Sequence, residues 1–478
     1  MQETEGTGGS QDAAAPGAPP PAWIGGFVRG AGPRYQQIVD AIERAVADGG
    51  LRVGDRLPAQ RRLADWLQVD LTTVTRAYAE AKRRHLLEAR GAMGSYVTAP
   101  KVELEGLVDL GMNIPPPPAG LDLEDMLKRG LAQVLLRADA DLLMTYHLGG
   151  GGQADRQAGA LWLAPMFGSV DARRVVVCPG AQAALAALVL ALSAPGDVIL
   201  AEPLIYPGVR AAAEQFGRRL VAVECDAEGM LPDALERACR THGARLLYLN
   251  PTQQNPTTAT LSAARRRALA ETAARLDLRI IEDDPYWRFA AAAAPPPLAQ
   301  FAPQRVYYIS TLSKCLSPGL RTAFVLLPDG VGEDGFLAAL RSFALMSTPL
   351  TTALVTQWIH DGSADALHQG VREEARLRLG LAGQVLGGAP GGLDGGASGI
   401  HVWYPLPSYW TPADLAHAAR AEGLAVTPAG AFQAGGAAAS AIRISLGGVR
   451  DRAALGAALK KLSALLARRP QGAQEIVV

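Results

Sequence analysis

Ser313-Lys314, followed by Pro318-Gly319-Leu320-Arg321, is the segment of this sequence with the most explicit chemistry. A lysine among small residues can add its amine to an aldehyde, and Arg321, seven positions on, can grip a phosphate bidentately. Alone, a Ser-Lys pair is a weak signal, because most lysines are simply solvated. Three further motifs converge on the same kind of ligand. Pro179-Gly180-Ala181-Gln182 follows an apolar run and opens a helix, where backbone N–H groups and the helix dipole form an anion site. Asn255-Pro256-Thr257 follows a second apolar run, and Ile281-Glu282-Asp283-Asp284-Pro285-Tyr286 closes a third. A carboxylate aimed at a pyridine nitrogen keeps it protonated, so that the ring accepts electrons. Asn and Tyr side chains can hydrogen-bond a phenolic oxygen on such a ring. Glu282 and Asp284 read instead as capping carboxylates at a strand end.

These motifs require a scaffold that gathers strand ends. Short apolar runs recur at Val175-Val176-Val177, Val198-Ile199-Leu200, Leu246-Leu247-Tyr248-Leu249, Arg279-Ile280-Ile281, Val306-Tyr307-Tyr308-Ile309 and Ala323-Phe324-Val325-Leu326-Leu327. They are bounded by Gly, Pro and Asp and separated by helix-length segments, which predicts a mostly parallel α/β sheet buried on both faces. A length of 478 residues exceeds what one core supports, and a 49% hydrophobic content supplies material for more than one. Lys and Arg number 46 against 46 Asp and Glu, so the chain is not basic overall and any nucleic-acid surface must be local. Cys178, Cys225, Cys239 and Cys315 have no C-x-x-C pairing, which argues against a zinc site or a disulfide scaffold. The first residues lack the basic start and hydrophobic centre of a signal peptide, and no apolar run reaches the roughly 20 residues of a membrane span. The expectation is a cytoplasmic chain.

Residues 1–22 read as a disordered Gly/Pro/Ala leader, 33–98 as a compact module, 99–120 as a linker that contains the run Pro115–Pro118 and passes into an extended arm, and 121–478 as the body. In the module, Tyr35, Ile38, Val39, Ile42 and Val46 recur at helical spacing between Pro33 and Gly49-Gly50. A short second helix carries Leu63, Ala64 and Leu67. Asp70 is placed to cap a third, with Val74, Ala77, Tyr78 and Ala81 inward and Thr72, Thr73, Arg76 and Arg83 outward. Leu86–Arg90 and Ser95–Val97 read as strands about the turn Gly91–Gly94. Three helices and a hairpin make an α+β winged helix-turn-helix, whose third helix fits a DNA major groove. The module has eleven Lys/Arg against eight Asp/Glu, a mild but clustered excess.

The run Tyr35-Gln36-Gln37-Ile38 and the segments GLRVGDRLPAQRRLADWL and VDLTTVTRAYAEAKRRHLLEARGAMGSYV resemble the DNA-binding domain of the GntR regulators. The resemblance implies that Arg61 and its neighbour Arg62 contact a base or phosphate. It also implies that Thr72, Thr73 and Arg76 approach the duplex along the recognition helix and that Gly94 shapes the wing. Asp70-Leu71 stands where the family often has Ser/Thr-Arg.

From about Leu121 to Leu466 the chain resembles the fold-type I aminotransferases that use pyridoxal 5′-phosphate, in their kynurenine/α-aminoadipate branch. This implies a large domain over about 140–350, with a mostly parallel sheet, and a smaller C-terminal α+β subdomain over about 365–466. It assigns Lys314 to the cofactor aldehyde, Asp283 to the pyridinium, Asn255 and Tyr286 to the ring oxygen, and Tyr206 to stacking on the ring. Ala181, Gln182, Thr311, Ser313 and Arg321 fall to the phosphate, and Arg443 to a substrate or effector carboxylate. Tyr146 corresponds to the tyrosine that reaches the neighbouring subunit.

A GntR head on an aminotransferase-like body is the plan of the MocR regulators, which the phrases DLGMNIPPPP and RQAGALWLAPMFG also resemble. The resemblance implies a homodimer that binds operator half-sites, with an amino compound or the cofactor itself as effector and genes of vitamin B6, amine or amino-acid metabolism as targets. Two other readings stay open at this stage: a working aminotransferase with an accessory head, and a repressor that uses the cofactor for stability alone.

Overall fold

In the computed structural model the described residues are 20–21, 23–24, 32–84, 86–89, 94–98, 107–147, 149–290, 294–387, 399–436 and 438–469. Nearly all of the expected leader, the tip of the 91–94 turn and residues 99–106 of the expected linker lie outside them. The chain divides into two units, Met1–Glu105 and Gly106–Val478.

In the first unit, helices α1 (Arg34–Ala47), α2 (Gln60–Leu67) and α3 (Leu71–Arg83) precede an antiparallel pair, β1 (Leu87–Ala89) and β2 (Ser95–Val97). The inward residues read from helical periodicity are the ones that meet. Ile38, Val39 and Ile42 join Leu63, Ala64 and Leu67, together with Val74, Ala77, Tyr78 and Ala81, in one buried cluster. Asp70 caps α3 by accepting from the Thr72 N–H at 2.8 Å. Tyr78 Oη donates to the Pro58 carbonyl at 2.8 Å, which ties α3 to the turn before α2. Trp23 and Ile24 also pack on this core. These two residues lie ahead of the expected module, where two apolar residues before a helix leave no periodicity to read.

The second unit is built on strands β3 (Val175–Cys178), β4 (Val198–Ala201), β5 (Arg219–Ala222), β6 (Leu246–Leu249), β7 (Arg279–Asp283), β8 (Val306–Thr311) and β9 (Ala323–Leu326). They form one sheet in the order β3-β9-β8-β7-β6-β4-β5. Neighbours are parallel except at β9, which runs antiparallel to both β8 and β3. Alternate side chains enter opposite cores, as a sheet covered on both faces requires: Leu247 and Ile280 on one side, Tyr248 and Ile281 on the other. The carboxyl ends of β3, β6, β7 and β8 share one edge, where open α/β sheets bind ligands.

A smaller lobe contains the antiparallel strands His401–Pro405, Ala441–Ser445 and Thr427–Pro428, with its own core around Leu415, Ile442, Ile444 and Leu459. The helix Ser363–Leu386 spans the two lobes. Leu367, Val371 and Ala375 enter the large core, and Leu379, Ala382 and Leu386 the small one.

From residue 107 onward the expected linker is an extended arm that is packed into the body, so the body begins before the expected boundary at 121. Val108–Asp109 pairs in parallel with Leu424–Ala425, Ser445 N donates to the Leu110 carbonyl at 2.7 Å, and Pro115 and Pro116 are buried. A Cβ on Gly447 would collide with the Ile114 carbonyl oxygen, so the close passage of this arm requires glycine there. A proline run reads as a spacer from composition alone, although prolines need no ladder hydrogen bonds and pack well as a pre-extended strap.

Candidate functional site

Lys314 lies on the one-turn helix Leu312–Cys315 that follows β8 directly. Its Nζ donates to the carbonyl of Asn113, in the arm. Burial, reinforced by the nearby Arg443 guanidinium, pushes the amine down to about 8. Asp283 ends β7. Tyr248 of β6 donates to its Oδ2 at 2.9 Å, while Oδ1 is buried and has no partner. Burial pushes this carboxyl up to about 7. A ring N–H set against Oδ1 would supply the missing partner and favour the ionised carboxylate. The neighbouring acids are structural, as the sequence suggested. Glu282 accepts from the N–H groups of Leu298 and Ala299 at 2.8 and 2.9 Å, capping the short helix that begins there, and Asp284 accepts from Thr252 Oγ1 at 3.0 Å.

The loop after β6 is fixed by Asn250, whose Nδ2 donates to the Asp283 carbonyl and whose Oδ1 accepts from the Asn255 N–H, both at 2.6 Å. Asn255 Oδ1 in turn accepts from Arg443 Nη1 at 2.7 Å. Tyr286 is buried, and its hydroxyl accepts from Asn113 Nδ2 at 2.7 Å. Tyr206 stands at the start of the helix Pro207–Gln215, close enough to Asp283, Arg321 and Arg443 to feel all three charges.

An anion cradle is assembled beside this group. Gly180, at φ +89°, turns the chain from β3 into the helix Ala181–Leu192, whose first N–H groups lack intrahelical partners. A Cβ on Gly180 would come within 2.7 Å of Arg321 Nη2, so glycine is what lets the guanidinium lie over this turn. Thr311 and Ser313 are buried, with Thr311 Oγ1 accepting from the Ser313 N–H at 3.2 Å. Gln182 holds the Gly208 carbonyl at 2.9 Å through Nε2, while its Oε1 is buried without a partner.

Arg443, on the strand Ala441–Ser445, donates to the Gly111 carbonyl at 2.6 Å and lies 4.7 Å from the Phe432 ring centroid. Its Nε is buried and has no partner. The residues that the sequence reasoning missed are Tyr248, Asn250, Asn113, Gly111 and His401. Burial pushes His401 down to about 3, so its ring is neutral. The sequence signal for Asn113 is a polar residue set between Met112 and Ile114 in DLGMNIPPPP. Tyr146 is 76% exposed and meets none of the residues above within this chain. Among the described residues no group of acids, His and Cys is arranged to hold a metal ion, and no helix is long and apolar enough to cross a membrane.

In the head, Arg61, Thr72 and Arg76 are exposed and Thr73 is half-buried. Arg62 lies 5.1 Å from the Trp66 ring centroid and Arg76 lies 4.1 Å from that of Tyr35. The Thr72 hydroxyl donates to Asp70 Oδ1, so the capping residue also orients this side chain. Gly94, at φ +108°, leads into β2, where a Cβ would press on Arg56 Nε at 3.3 Å. Arg83 projects outward, as the helical spacing predicts, and pairs there with Glu80 at 2.6 Å.

Residues 106–462 match the family of aminotransferase class I and II, and residues 34–97 match the bacterial regulatory proteins of the gntR family. The HTH-type transcriptional regulator YdeF of Bacillus subtilis is 29% identical, over 89% of this chain and 93% of its own length. The vitamin B6 salvage pathway transcriptional repressor PtsJ of Salmonella typhimurium is 28% identical, over 79% and 86%. Among solved structures, the α-aminoadipate aminotransferase LysN of Thermus thermophilus, complexed with N-(5′-phosphopyridoxyl)-L-leucine, superposes with a TM-score of 0.67 at 26% identity, covering 76% of this chain and 92% of that one.

Proposed function

Since the chain belongs to the aminotransferase class I and II family and carries a GntR-type helix-turn-helix head, we propose that it is a ligand-responsive transcriptional regulator of the MocR type, holding pyridoxal 5′-phosphate at Lys314. The observation that carries the cofactor reading is the buried, partnerless Oδ1 of Asp283 in a carboxyl that burial has pushed up to about 7. When bound, the cofactor supplies an aldehyde to which amines add and a ring that withdraws electrons. Asp283 holds the proton of the ring nitrogen, Asn255 and Tyr286 hold the ring oxygen, and Tyr206 covers the ring face. Ala181, Gln182, Thr311, Ser313 and Arg321 bind the phosphate. Arg443 clamps the carboxylate of an incoming amino compound, for which it has N–H donors beyond those it gives to Asn255 and Gly111. The effector is an amino compound or the cofactor itself, and the regulated genes are those of vitamin B6, amine or amino-acid metabolism.

The head presents α3 to the major groove through Thr72, Thr73 and Arg76, while Arg61 and Arg62 on α2 and the wing at Gly94 make the flanking contacts. Paired half-sites call for paired heads, and the body offers an apolar surface for a homodimer: Leu136, Met144 and Tyr146 are 85%, 83% and 76% exposed. A DNA-binding chain without a candidate membrane helix among its described residues fits the cytoplasm. Coupling of the two sites requires a ligand that favours one head arrangement, typically by about 1–3 kcal/mol.

The test loads the protein with pyridoxal 5′-phosphate, follows its absorbance band as amino compounds are added, and measures operator affinity in parallel. A band that responds, with operator affinity changing alongside, supports the reading; a chain that stays colourless when saturated overturns it. Retention of Arg443 favours a second reading, an active aminotransferase with an accessory head. Keto-acid production at about 1–10³ s⁻¹ would establish that one.

A further inference from the structure

Asn113 reaches the site from the arm rather than from the sheet, and its side chain is 4% exposed. Its Nδ2 donates to Tyr286 Oη at 2.7 Å and lies 3.3 Å from His401 Nδ1. The amide and the imidazole fit one another. Burial keeps the His401 ring neutral, so one of its nitrogens is a bare acceptor; Nε2 is buried without a partner, and Nδ1, which faces Asn113 Nδ2, is the acceptor. Only an N–H can satisfy Nδ1, which commits Nδ2 toward both His401 and Tyr286 and leaves Oδ1 buried without a partner. The Tyr286 hydroxyl therefore accepts from Asn113, and its own hydrogen is left to be donated elsewhere. A hydroxyl that accepts one hydrogen bond is polarised into a stronger donor for the next.

We propose that Asn113 is a positioning residue that turns the Tyr286 hydroxyl into a dedicated donor toward the phenolic oxygen of the cofactor. The proposal rests on the reading of the site given above and adds to it a residue from outside the sheet. Asn113 does not touch the ring; it acts through Tyr286, with its amide set against His401.

The experiment is a pH titration of the absorbance band of the full chain loaded with pyridoxal 5′-phosphate. A donor on the phenolic oxygen stabilises its anionic form, so weakening that donor moves the midpoint of the band upward. Asn113→Ala is expected to raise the midpoint by about one pH unit, a tenfold change in proton affinity. Asn113→Leu, which fills more of the vacated volume, is expected to do the same. In a Tyr286→Phe background neither substitution should move the midpoint further. Unchanged midpoints in both single variants, or a full additional shift when Tyr286 is already Phe, overturn the proposal. Absence of any band in the unsubstituted chain overturns the underlying reading of the site, and the proposal with it.

Discussion

The site in the body and the recognition surface of the head are built by opposite means. In the body, polar groups are buried ahead of any ligand: Asp283 Oδ1, Gln182 Oε1 and Arg443 Nε have no partner, and burial drives Asp283 and Lys314 toward their neutral forms. In the head, the candidate contacts lie at the surface, stacked on rings as with Arg76 on Tyr35, or held by a helix cap as with Thr72 on Asp70. A desolvated group without a partner gains much from one specific ligand atom, so single residues decide binding. Solvated cations contribute smaller increments that salt screens. The body should therefore respond to substitution in an all-or-none manner and the head in steps.

The strongest challenge to that contrast is Lys314→Ala. It should remove the cofactor band completely while unliganded operator binding stays intact, and a ligand response that survives in this variant would break the comparison. Asp283→Ala comes next. Losing a hydrogen bond to a charged group, about 1.5–3 kcal/mol, should weaken cofactor affinity by roughly ten- to a hundredfold in equilibrium dialysis. The rate at which the cofactor-free chain captures an aldehyde should rise about tenfold per pH unit up to about 8 and level off above it, since only the uncharged amine of Lys314 attacks. A plateau reached only in the ordinary lysine range would show that burial is not tuning this amine. Arg61→Ala should weaken operator binding by about 1–3 kcal/mol if it reads a base, or lower the salt slope by about one if it meets a phosphate. An unchanged titration at two salt concentrations would remove Arg61 from the surface. The smallest effect expected is that of Tyr78→Phe, which deletes the hydrogen bond to the Pro58 carbonyl and should lower the denaturant stability of the head by about 1 kcal/mol.

Much of this arrangement was legible in the sequence because its signals are local. Six of the seven sheet strands announce themselves as apolar runs, and Lys314, Asp283, Asn255 and Gly180 each follow or end such a run. β5 is an edge strand that escaped; its run Leu220-Val221-Ala222 is apolar and half-buried, but it follows the preceding helix after only three residues and carries no chemistry-bearing residue at its end to draw attention to it. Asn113 and His401 escaped for a different reason. They are 288 residues apart and meet only after the arm has folded against the small lobe, a contact that no local pattern encodes. The same holds for Tyr248, whose hydroxyl reads as one more apolar strand position until β7 lies beside β6.

The helix Ser363–Leu386 carries one consequence for how the body comes apart. Leu367 and Val371 are locked into one core and Leu379 and Leu386 into the other, and between them the buried Arg378 is bonded to the carbonyls of Leu446, Val449 and Arg450. Unravelling either lobe strips the shared rod of half its supports, so neither lobe is a separate cooperative unit. Calorimetry on the body should then record one melting event, and a cavity opened at Leu367 should be felt in amide exchange as far away as Ile442.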